Sequence, residues 1–315
     1  MTNHKIKTDV SVIIPIYNRQ KTLARAIDSI LQQTWPVKEI ILIDDGSTDS
    51  SSDIARYYAQ HNSCIKFISQ TNAGAAAARN QGLALATGAW ISFLDSDDQW
   101  LPNKNQACLR LYTEHPTIEF IHTFYIGIKN GQKNLRLNND ANIRQSKKHL
   151  LSMFGIKTST VMFCRVLLEK TGFFNIHLKT CEDYELFWRL VACSKEIGYL
   201  VDDLVIVEES PNSLMATVPL AHRKKDDITA LSSALKWIKE QGGYENDWVD
   251  AMSTHRYWMF VDLLSFNIQE RKLFELVNNY RWFIQEQDFL KATRAIFSAI
   301  RNSAIKNKAL HTIGY

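Results

Sequence analysis

The stretch Trp90–Trp100, which reads WISFLDSDDQW, joins an apolar run to a cluster of carboxylates. Its first five residues form a largely apolar run, as in a buried strand of a parallel sheet. Three carboxylates follow at once, Asp95, Asp97 and Asp98, and ligands of open α/β sheets bind beyond the carboxyl ends of such strands. Acids held this close repel one another unless a cation such as Mg²⁺ or Mn²⁺ compensates them. Taken alone, the stretch also fits an acidic loop or helix cap ahead of Pro102.

The residues before this stretch alternate between strand and helix patterns. Apolar runs at Val10–Tyr17, Glu39–Ile43 and Ile65–Ile68 predict strands, with apolar positions at helical spacing between them. An alanine-rich helix, Ala75–Ala86, precedes the fourth strand, and Gly88 is predicted to be its C′ glycine. This alternation indicates a right-handed parallel α/β layer. A parallel sheet would bring three polar clusters to one edge: Tyr17-Asn18, Asp44-Asp45 and Asp95–Asp98.

The composition is typical of a soluble globular protein. Of 315 residues, 45% are hydrophobic and 22% are charged, which is enough to bury a sizeable core. The 37 basic and 33 acidic residues give a net charge of +4, too mild to indicate nucleic-acid binding. Neither a secretory signal nor a membrane-spanning segment is predicted, because the N-terminus has no apolar core and no stretch is long and apolar enough. The five cysteines are scattered without CxxC spacing, so reduced thiols and a cytoplasmic location are predicted.

The second half of the chain predicts further strands followed by helices. Strands are expected at three apolar runs: Ile118–Ile128, Thr158–Cys164 and Tyr199–Val207. The polar, Asn-rich stretch Gly131–Asn142 is interpreted as a loop or hairpin. From about Ala221 the pattern becomes almost wholly helical. We therefore expect a catalytic domain over residues 1–220 and a helical region over residues 221–315.

Motif spacing disfavours several other functions. Asp44–Asp49 and Asp95–Trp100 fail as calcium loops because neither has glycine at the sixth place. A phosphatase or receiver domain would carry its nucleophilic aspartate on the first strand, which here ends in Tyr17-Asn18. The chain has no GxGxxG, GxxxxGK[ST] or GxSxG motif, so dinucleotide binding, P-loop binding and α/β-hydrolase chemistry are unsupported.

Four motifs in order, VSVIIPIYNR, ILIDDGSTD, TNAGAAAARNQG and FLDSDD, resemble the nucleotide-sugar domain of family 2 glycosyltransferases. The resemblance is dense from Val10 to Trp100 and returns at Glu182–Arg189. It implies the GT-A fold, a Rossmann-related, mostly parallel sheet flanked by helices. It also implies a metal-dependent, inverting transfer of sugar from a nucleoside diphosphate, with UDP favoured. The acceptor would be a hydroxyl of a saccharide or lipid-linked saccharide in cell-surface polysaccharide synthesis.

The resemblance assigns the nucleoside end of the site to the first two loops. Pro15, Tyr17 and Asn18 match the family's first loop, which cradles the nucleoside. Asp45 matches an acid that accepts a hydrogen bond from the base, for example from N3–H of uracil. Asp44, beside it, belongs to the same nucleotide-binding loop and is expected to orient it.

The resemblance places the diphosphate and metal further along the chain. Arg79 and Asn80 match a segment near the nucleotide, where a guanidinium could meet phosphate or an acid. Asp95 and Asp97 form the DxD pair that would hold Mn²⁺ or Mg²⁺, and Asp97 is the favoured direct ligand. Asp95 is also expected beside the nucleotide.

Glu182-Asp183 resembles the family's ED motif, which supplies the catalytic base. An inverting transfer needs one carboxylate to accept the proton of the attacking hydroxyl. Asp183 is predicted to be that base and Glu182 to help bind the acceptor; alternatively, both acids only favour a helix N-terminus. Arg189, two turns on, either pairs with an acid across the site or lies on the surface.

The sequence departs from the family pattern after the late strand. Family members often carry an Arg and a His there, whereas this chain reads VEESPNSL from Val207 and has no His. A second protein contact to metal or diphosphate is therefore in doubt, with His222 or Arg223 as substitutes. This departure leaves open a non-catalytic nucleotide-binding scaffold of the same fold. A nucleotidyltransferase is a further alternative, but the chain lacks the glycine-rich, lysine-bearing first loop of that class.

The last stretch, Phe289–Tyr315, is basic and contains no acid. Apolar residues are predicted near one helical face: Leu290, Ile296, Phe297, Ile300 and Ala304. Such a helix can lie on the anionic inner face of a membrane. It can equally pack on its own domain or on a second subunit.

Overall fold

The chain divides into two compact units, Met1–Ser213 and Leu214–Tyr315. The computed structural model describes the following residues: 8–129, 132–134, 147, 150, 156–209, 218–242, 246–270, 278–279, 294–295 and 297–302. In these residues the first unit is a sheet with flanking helices, and the second unit is helical.

The first unit begins with four parallel strands joined by three helices. The strands are β1 (Val10–Ile16), β2 (Glu39–Asp44), β3 (Ile65–Ser69) and β4 (Trp90–Phe93). The helices are α1 (Leu23–Leu31), α2 (Ser51–His61) and α3 (Ala75–Leu85). The strands lie in the order β3-β2-β1-β4, and every residue of β2 is buried, as expected of a parallel strand covered on both faces.

The second half of the unit extends this sheet with mixed pairing. Its strands are β5 (Gln99–Trp100), β6 (Ile118–Lys129), β7 (Gln132–Asn134), β8 (Val161–Cys164) and β9 (Glu196–Glu209). Its helices are α4 (Lys104–Glu114), α5 (Leu168–Thr171) and α6 (Glu182–Cys193). Strand β8 runs antiparallel between β4 and β6, while β9 pairs parallel with β6 and antiparallel with β5. This sheet flanked by helices confirms the predicted fold class; every antiparallel pair includes a strand of this second half.

Two local predictions need correction. Residues 158–164, predicted as one strand, begin with the 3-10 turn Thr158–Thr160, and β8 starts only at Val161. Gly88 is not a left-handed C′ residue, because α3 already ends at Leu85 and the next residue is extended. A Cβ on Gly88 would lie 2.7 Å from the backbone nitrogen of Ser11. The glycine therefore permits a close approach to β1, whose Ser11 Oγ accepts a hydrogen bond from Gly88 N at 2.8 Å.

The polar stretch 131–142 is only partly covered. Gln132–Asn134 pairs with β6 as a hairpin strand, which agrees with the hairpin interpretation. Residues 131 and 135–142 lie outside the described part of the chain.

The second unit contains α7 (Leu220–Gln241) and α8 (Asn246–Gln269). Ala295 and Ala299 are fully buried in a cluster with apolar residues of these helices, including Phe260 and Leu264. Phe297 and Ile300, predicted on the apolar face of the last stretch, are instead 68% and 52% exposed, because the small alanines take the inner positions. Leu290, Ile296 and Ala304 lie outside the described residues. Within those residues, no helix combines the length and apolarity that crossing a membrane requires.

A buried carboxylate joins three segments at the edge of the sheet opposite the strand ends. Glu39 Oε1 accepts hydrogen bonds from Ser11 Oγ at 2.6 Å and from the backbone nitrogen of Thr87 at 2.7 Å. Its other oxygen, Oε2, lies 2.6 Å from Lys66 Nζ. Although burial favours the neutral acid, these donors outweigh it and lower the pKa of Glu39 to about 2.

Replacing Glu39 with glutamine should therefore destabilise the protein in a pH-dependent way. At neutral pH we expect a loss of about 2 kcal/mol, because hydrogen bonds to a charged acceptor are replaced by weaker ones. A lowered folded-state pKa stabilises above the unfolded value and loses that contribution as pH falls towards 2. The difference between wild type and variant, measured by urea denaturation, should shrink over this range. Glu114→Gln, at an exposed helix end, is the control; a pH-independent deficit for Glu39→Gln would contradict the assignment.

Candidate active site

The three predicted polar clusters follow parallel strands at one edge of the sheet. Ile16, the last residue of β1, aligns with Asp44 of β2, and Ile13 aligns with Phe93 of β4. The backbone nitrogen of Asp45 donates to Ile16 O at 2.8 Å, which holds the first two strand ends together. Residues 17–18, 44–45 and 95–98 thus emerge side by side, as the strand pattern predicted.

Asp45 is buried and receives three hydrogen bonds from the segment that leads into α3. Its Oδ1 accepts from Gln70 Nε2 and from the backbone nitrogen of Ala73, and its Oδ2 accepts from Gly74 N, each at 2.8 Å. A carboxylate offers about four acceptor positions. These three bonds therefore leave one acceptor position of Oδ2 unused.

Asp44 turns towards its own loop. Its two oxygens accept from the backbone nitrogen of Ser47 and from Ser69 Oγ, both at 3.2 Å. Gly46, in the same turn, has a φ of +75°, a conformation that glycine adopts without strain. These contacts hold both carboxylate oxygens of Asp44 against neighbouring chain, and its role in orienting the loop stays a prediction.

Asn18 joins the loop after β1 to the loop after β2. Its φ is +52°, in the left-handed region, and its Oδ1 accepts from the backbone nitrogen of Thr48 at 2.8 Å. Its own backbone nitrogen donates to Ser47 Oγ at 3.0 Å. Asn18 therefore shapes the loop, leaving the ring of Tyr17 exposed beside the half-buried Pro15.

Asp98 anchors the acidic loop from inside. It is buried, and its carboxylate accepts from Ser159 Oγ at 2.5 Å and from the backbone nitrogen of Glu208 at 3.1 Å. Burial and the nearby charge of Asp95 raise the pKa of Asp98 well above its ordinary value. Ser159 Oγ also accepts from the backbone nitrogen of Asp95 at 3.1 Å. The third acid of the motif thus holds the loop in place.

Residues at and near the start of helix α1 form hydrogen bonds with the backbone of the same loop. Thr22 Oγ1 donates to Ser96 O at 2.8 Å, and Arg25 Nη2 donates to Asp97 O at 2.9 Å. The guanidinium of Arg25 also pairs with the carboxylate of Glu208 at the end of β9. These contacts fix the backbone that carries the DxD pair.

The carboxylate of Asp97 is one of two accessible acids in the loop, with 17% of its side chain exposed against 34% for Asp95, which pairs with Arg79. Arg19 Nε lies 3.4 Å from Asp97 Oδ2. Burial and the charge of Asp95 raise the pKa of Asp97, and Arg19 offsets only part of this. Among the described residues no three His, Cys, Asp or Glu side chains are grouped to hold a metal by themselves. One or two hard oxygen ligands fit Mg²⁺ or Mn²⁺, which take further ligands from water and substrate phosphates.

Arg79 joins the acidic loop to helix α6. Its Nη2 donates to Asp95 Oδ1 at 2.8 Å, and its Nη1 donates to Glu182 Oε1 at 2.7 Å. The guanidinium is buried, which disfavours its charge, but the carboxylates of Asp95, Glu182 and Asp183 outweigh burial and raise the pKa of Arg79. One turn further along α3, a Cβ on Gly82 would lie 2.4 Å from a methyl group of β1. The helix therefore lies tight against the sheet, which fixes the depth of Arg79.

Glu182 and Asp183 occupy the first turn of α6 but have different surroundings. Glu182 is buried against Arg79; burial and the neighbouring charge of Asp183 raise the pKa of Glu182 to about 6, with Arg79 opposing the rise. Asp183 is half-buried, and Thr158 Oγ1 donates to its Oδ2 at 2.8 Å. Asp183 is thus the carboxylate of the pair that is oriented and still reachable.

Two residues singled out in the sequence have structural partners. Asn80 donates to Phe174 O at 3.0 Å and accepts from Phe174 N at 2.9 Å, so its amide holds a loop instead of facing the cleft. Arg189 is buried and pairs with Glu185 on its own helix, which corrects both interpretations of it. The four-residue spacing of Glu185 and Arg189 could have indicated this pair from the sequence, because such residues are neighbours on a helix.

Several residues of the site were missed in the sequence. Thr158 and Ser159 were interpreted only as strand residues, and Arg25 was not considered. Arg19 stands inside the quoted motif, directly after Asn18, so its position was the available signal. His222 and Arg223, considered as substitutes for a missing contact, lie in α7 of the second unit.

The model of the family described as Glycosyl transferase family 2 matches residues 11–172, about half of the chain. The chain belongs to glycosyl transferase family 2. This confirms the resemblance stated from the sequence motifs. The match ends before Glu182, so the catalytic assignment of α6 depends on the geometry described above.

Curated relatives match about a third of the chain. The uncharacterized glycosyltransferase YibD of Escherichia coli (strain K12) is 42% identical over 105 residues, which cover 33% of this chain and 30% of that protein. Glycosyltransferase GlyA of Streptococcus pneumoniae serotype 4 is 42% identical over 92 residues, 29% of this chain and 13% of that protein. The matched region thus spans a third or less of the length of these curated relatives.

Solved structures resemble the chain over most of its length. S. aureus TarS 1-349 in complex with UDP-GlcNAc has a TM-score of 0.76 at 20% identity, covering 98% of this chain and 93% of that chain. Mannosyltransferase PcManGT from Pyrobaculum calidifontis, in complex with GDP-Man and Mn²⁺, has a TM-score of 0.59 at 16% identity, covering 94% and 86%. At these identities the likeness establishes the fold, which is that of the GT-A glycosyltransferases.

Proposed function

We propose that the protein transfers a sugar, with inversion, from a nucleoside diphosphate to a hydroxyl of a saccharide or lipid-linked saccharide. The observation that carries the proposal is the buried guanidinium of Arg79, which ties donor-side Asp95 to Glu182 beside the proposed base. Such a tie holds two halves of one reaction centre at a fixed separation. The UDP-GlcNAc and GDP-Man bound by the structural neighbours support a nucleotide-sugar donor.

The nucleoside end of the site favours UDP. One acceptor position on Asp45 Oδ2 suits a single N–H donor such as N3–H of uracil. Pro15, Tyr17 and Asn18 would form the adjoining wall, with Asn18 holding its shape. We assign Asp44 and Asn80 to positioning these loops, since their polar atoms are bound to neighbouring chain.

The acceptor end of the site provides the proton transfer. Asp183 would accept the proton of the attacking hydroxyl while the oxygen forms a bond to the anomeric carbon. The bond from that carbon to the diphosphate breaks on the opposite face, and its electron pair leaves with the nucleoside diphosphate. Glu182, neutralised by Arg79, would contact the acceptor.

Asp97, with Asp95 beside it, would hold Mn²⁺ or Mg²⁺. When bound, the ion supplies positive charge to the departing diphosphate. The Mn²⁺ of one structural neighbour supports this choice of ion. The chain's own contribution is to fix the loop through Ser159, Thr22 and Arg25, so that the Asp97 carboxylate is placed before the donor arrives.

A thermal-shift screen of UDP- and GDP-sugars with and without Mn²⁺ tests the donor and the metal together. At a donor concentration of 100 times Kd, binding should stabilise the protein by about 2.7 kcal/mol. Asp97→Asn should remove the part of the shift that needs Mn²⁺, because the favoured ligand is lost. Asp53→Asn, on an exposed helix turn, is the matched control. If no sugar nucleotide stabilises the wild type, the proposed function is wrong.

We also propose that the outer face of the last helical stretch contacts the anionic inner face of the membrane. Phe297 and Ile300 are exposed there together with Arg294 and Arg301, while the alanines face inward. Apolar and basic groups on one face favour an anionic lipid surface. Such contact would suit polysaccharide synthesis at the cytoplasmic face.

A co-sedimentation assay with phosphatidylglycerol vesicles tests this contact. Changing Phe297 and Ile300 to serine should weaken binding at least about fivefold, because apolar area is lost from the lipid-facing side. Trp258→Ser, which alters an exposed aromatic residue elsewhere in the same unit, should leave binding unchanged. Equal sedimentation of all three proteins, or binding to neutral vesicles alone, would rule the contact out.

A further inference from the structure

The first two residues of the loop 173–180, between α5 and α6, are anchored by buried contacts. The buried ring of Phe174 packs on Phe93 with ring centroids 5.3 Å apart, and Asn80 binds both backbone polar groups of Phe174. Arg189 Nη2 donates to Phe173 O at 2.8 Å. Three separate side-chain contacts thus fix the first two residues of the loop.

Left-handed residues bracket the loop. Gly172 has a φ of +67° and Cys181 a φ of +62°. The conformation costs glycine little, but for a residue with a Cβ it costs about 1 kcal/mol or more. Cys181 immediately precedes Glu182, so the strained residue sets the direction in which the loop enters α6.

The loop exposes both apolar and cationic side chains. Phe173 is 41% exposed and Ile176 is 57% exposed, although both are large apolar residues. His177 and Lys179 are also exposed, and no acid occurs between Lys170 and Cys181. An apolar surface beside a cation suits a ligand that has both an apolar part and an anion.

The loop lies next to the reaction centre proposed above. The ring of Phe174 is 5.6 Å from the guanidinium carbon of Arg79, which itself binds Glu182. Lys179 precedes Asp183 by four residues, so their Cα atoms are at most about 14 Å apart. A ligand on this surface can therefore present a hydroxyl to Asp183.

We propose that loop 173–180 is the acceptor-binding surface and that the acceptor is an anionic amphiphile, a saccharide carried on a lipid phosphate. Its lipid chain would pack on Phe173 and Ile176, and its phosphate would lie near Lys179 and His177. This inference rests on the proposed function and narrows its acceptor. The charge on Lys179 and the apolar area beside it favour this acceptor over a neutral free saccharide.

Binding of decyl phosphate to the full chain, measured by calorimetry below the micelle concentration, tests the surface. Decyl glucoside, which keeps the chain but has no charge, and inorganic phosphate, which keeps only the anion, are the comparison ligands. Wild type should bind decyl phosphate at least tenfold more tightly than either comparison ligand. Ile176→Ser combined with Lys179→Ala should remove that preference.

The matched control variant is Val201→Ser combined with Lys236→Ala, since Val201 is also 57% exposed and Lys236 lies on an exposed helix face. It should bind decyl phosphate as wild type does. Absence of binding to wild type, or equal binding by all three proteins, would overturn the proposal. The proposal would also be overturned if the loop variant still bound decyl phosphate but no longer bound phosphatidylglycerol vesicles, because the loop would then be a membrane contact. Titration of UDP into the same proteins tests the proposed donor site separately from the acceptor surface, because the donor site does not include these residues.

Discussion

Replacing Asp183 with asparagine is expected to lower the rate of sugar transfer by a factor of about 10³, while donor affinity stays unchanged. Asparagine keeps the size of the side chain and can still accept the hydrogen bond from Thr158 Oγ1. It cannot take a proton from an attacking hydroxyl at neutral pH. The measurement is UDP release with and without acceptor, alongside donor binding by calorimetry.

Asp202→Asn, an exposed change on β9, provides the control for Asp183→Asn. It should leave transfer and donor binding at wild-type levels. Undiminished transfer by Asp183→Asn would move the base elsewhere. A wild-type protein that binds UDP but never releases it from a UDP-sugar would favour a non-catalytic scaffold.

Replacing Arg79 with methionine is expected to destabilise the protein by about 3 kcal/mol or more at pH 8. The change removes one cation from two carboxylates, those of Asp95 and Glu182, and leaves their charge uncompensated. Without Arg79 the pKa of Glu182 should rise further above its value of about 6. The carboxyl is then protonated at pH 5, so the deficit should be largest at pH 8 and should shrink as pH falls.

Urea denaturation of wild type and Arg79→Met at several pH values measures this deficit. Arg110→Met is the control because Arg110 forms an exposed pair with Glu114 on one helix, and no measurable change is expected there. A deficit that grows as pH falls would contradict the pairing. Donor binding should also weaken in Arg79→Met, since Asp95 loses its fixed position.

The order of strands and the acidic strand ends could be predicted because they follow from local pattern. Period and burial identify β1, β2 and β4, and parallel pairing then places Asp45 and Asp97 at one edge. The residue pairs within the site could not be predicted, because they join segments far apart in the chain. Arg79 meets Glu182 across 103 residues, and no spacing rule reports such a contact.

The errors at Gly88 and Arg189 have a common origin in tertiary packing. Gly88 fits the position of a helix C′ glycine, yet close contact with Ser11 of β1 decides its role. Arg189 lies on an amphipathic helix, yet the carbonyl of Phe173 and the carboxylate of Glu185 draw it into the interior. The conformation at Gly88 is determined by a neighbour distant in sequence. The burial of Arg189 is determined by a distant carbonyl and by a neighbour on its own helix.

The acidic loop 95–98 is held by hydrogen bonds to residues that are synthesised much later than the loop itself. Ser159 follows Asp98 by 61 residues and the backbone nitrogen of Glu208 follows it by 110 residues. At ordinary translation speeds, roughly 5–20 s therefore pass between synthesis of the loop and synthesis of Glu208, its last hydrogen-bond partner. A nascent chain therefore contains the strands of the proposed nucleotide site before Asp183, the proposed proton acceptor, has been synthesised. In a translation product that ends before Glu182, Arg79 would keep its pair with Asp95 but lack its pair with Glu182. We expect cellular proteases to cleave such a fragment faster than the full chain.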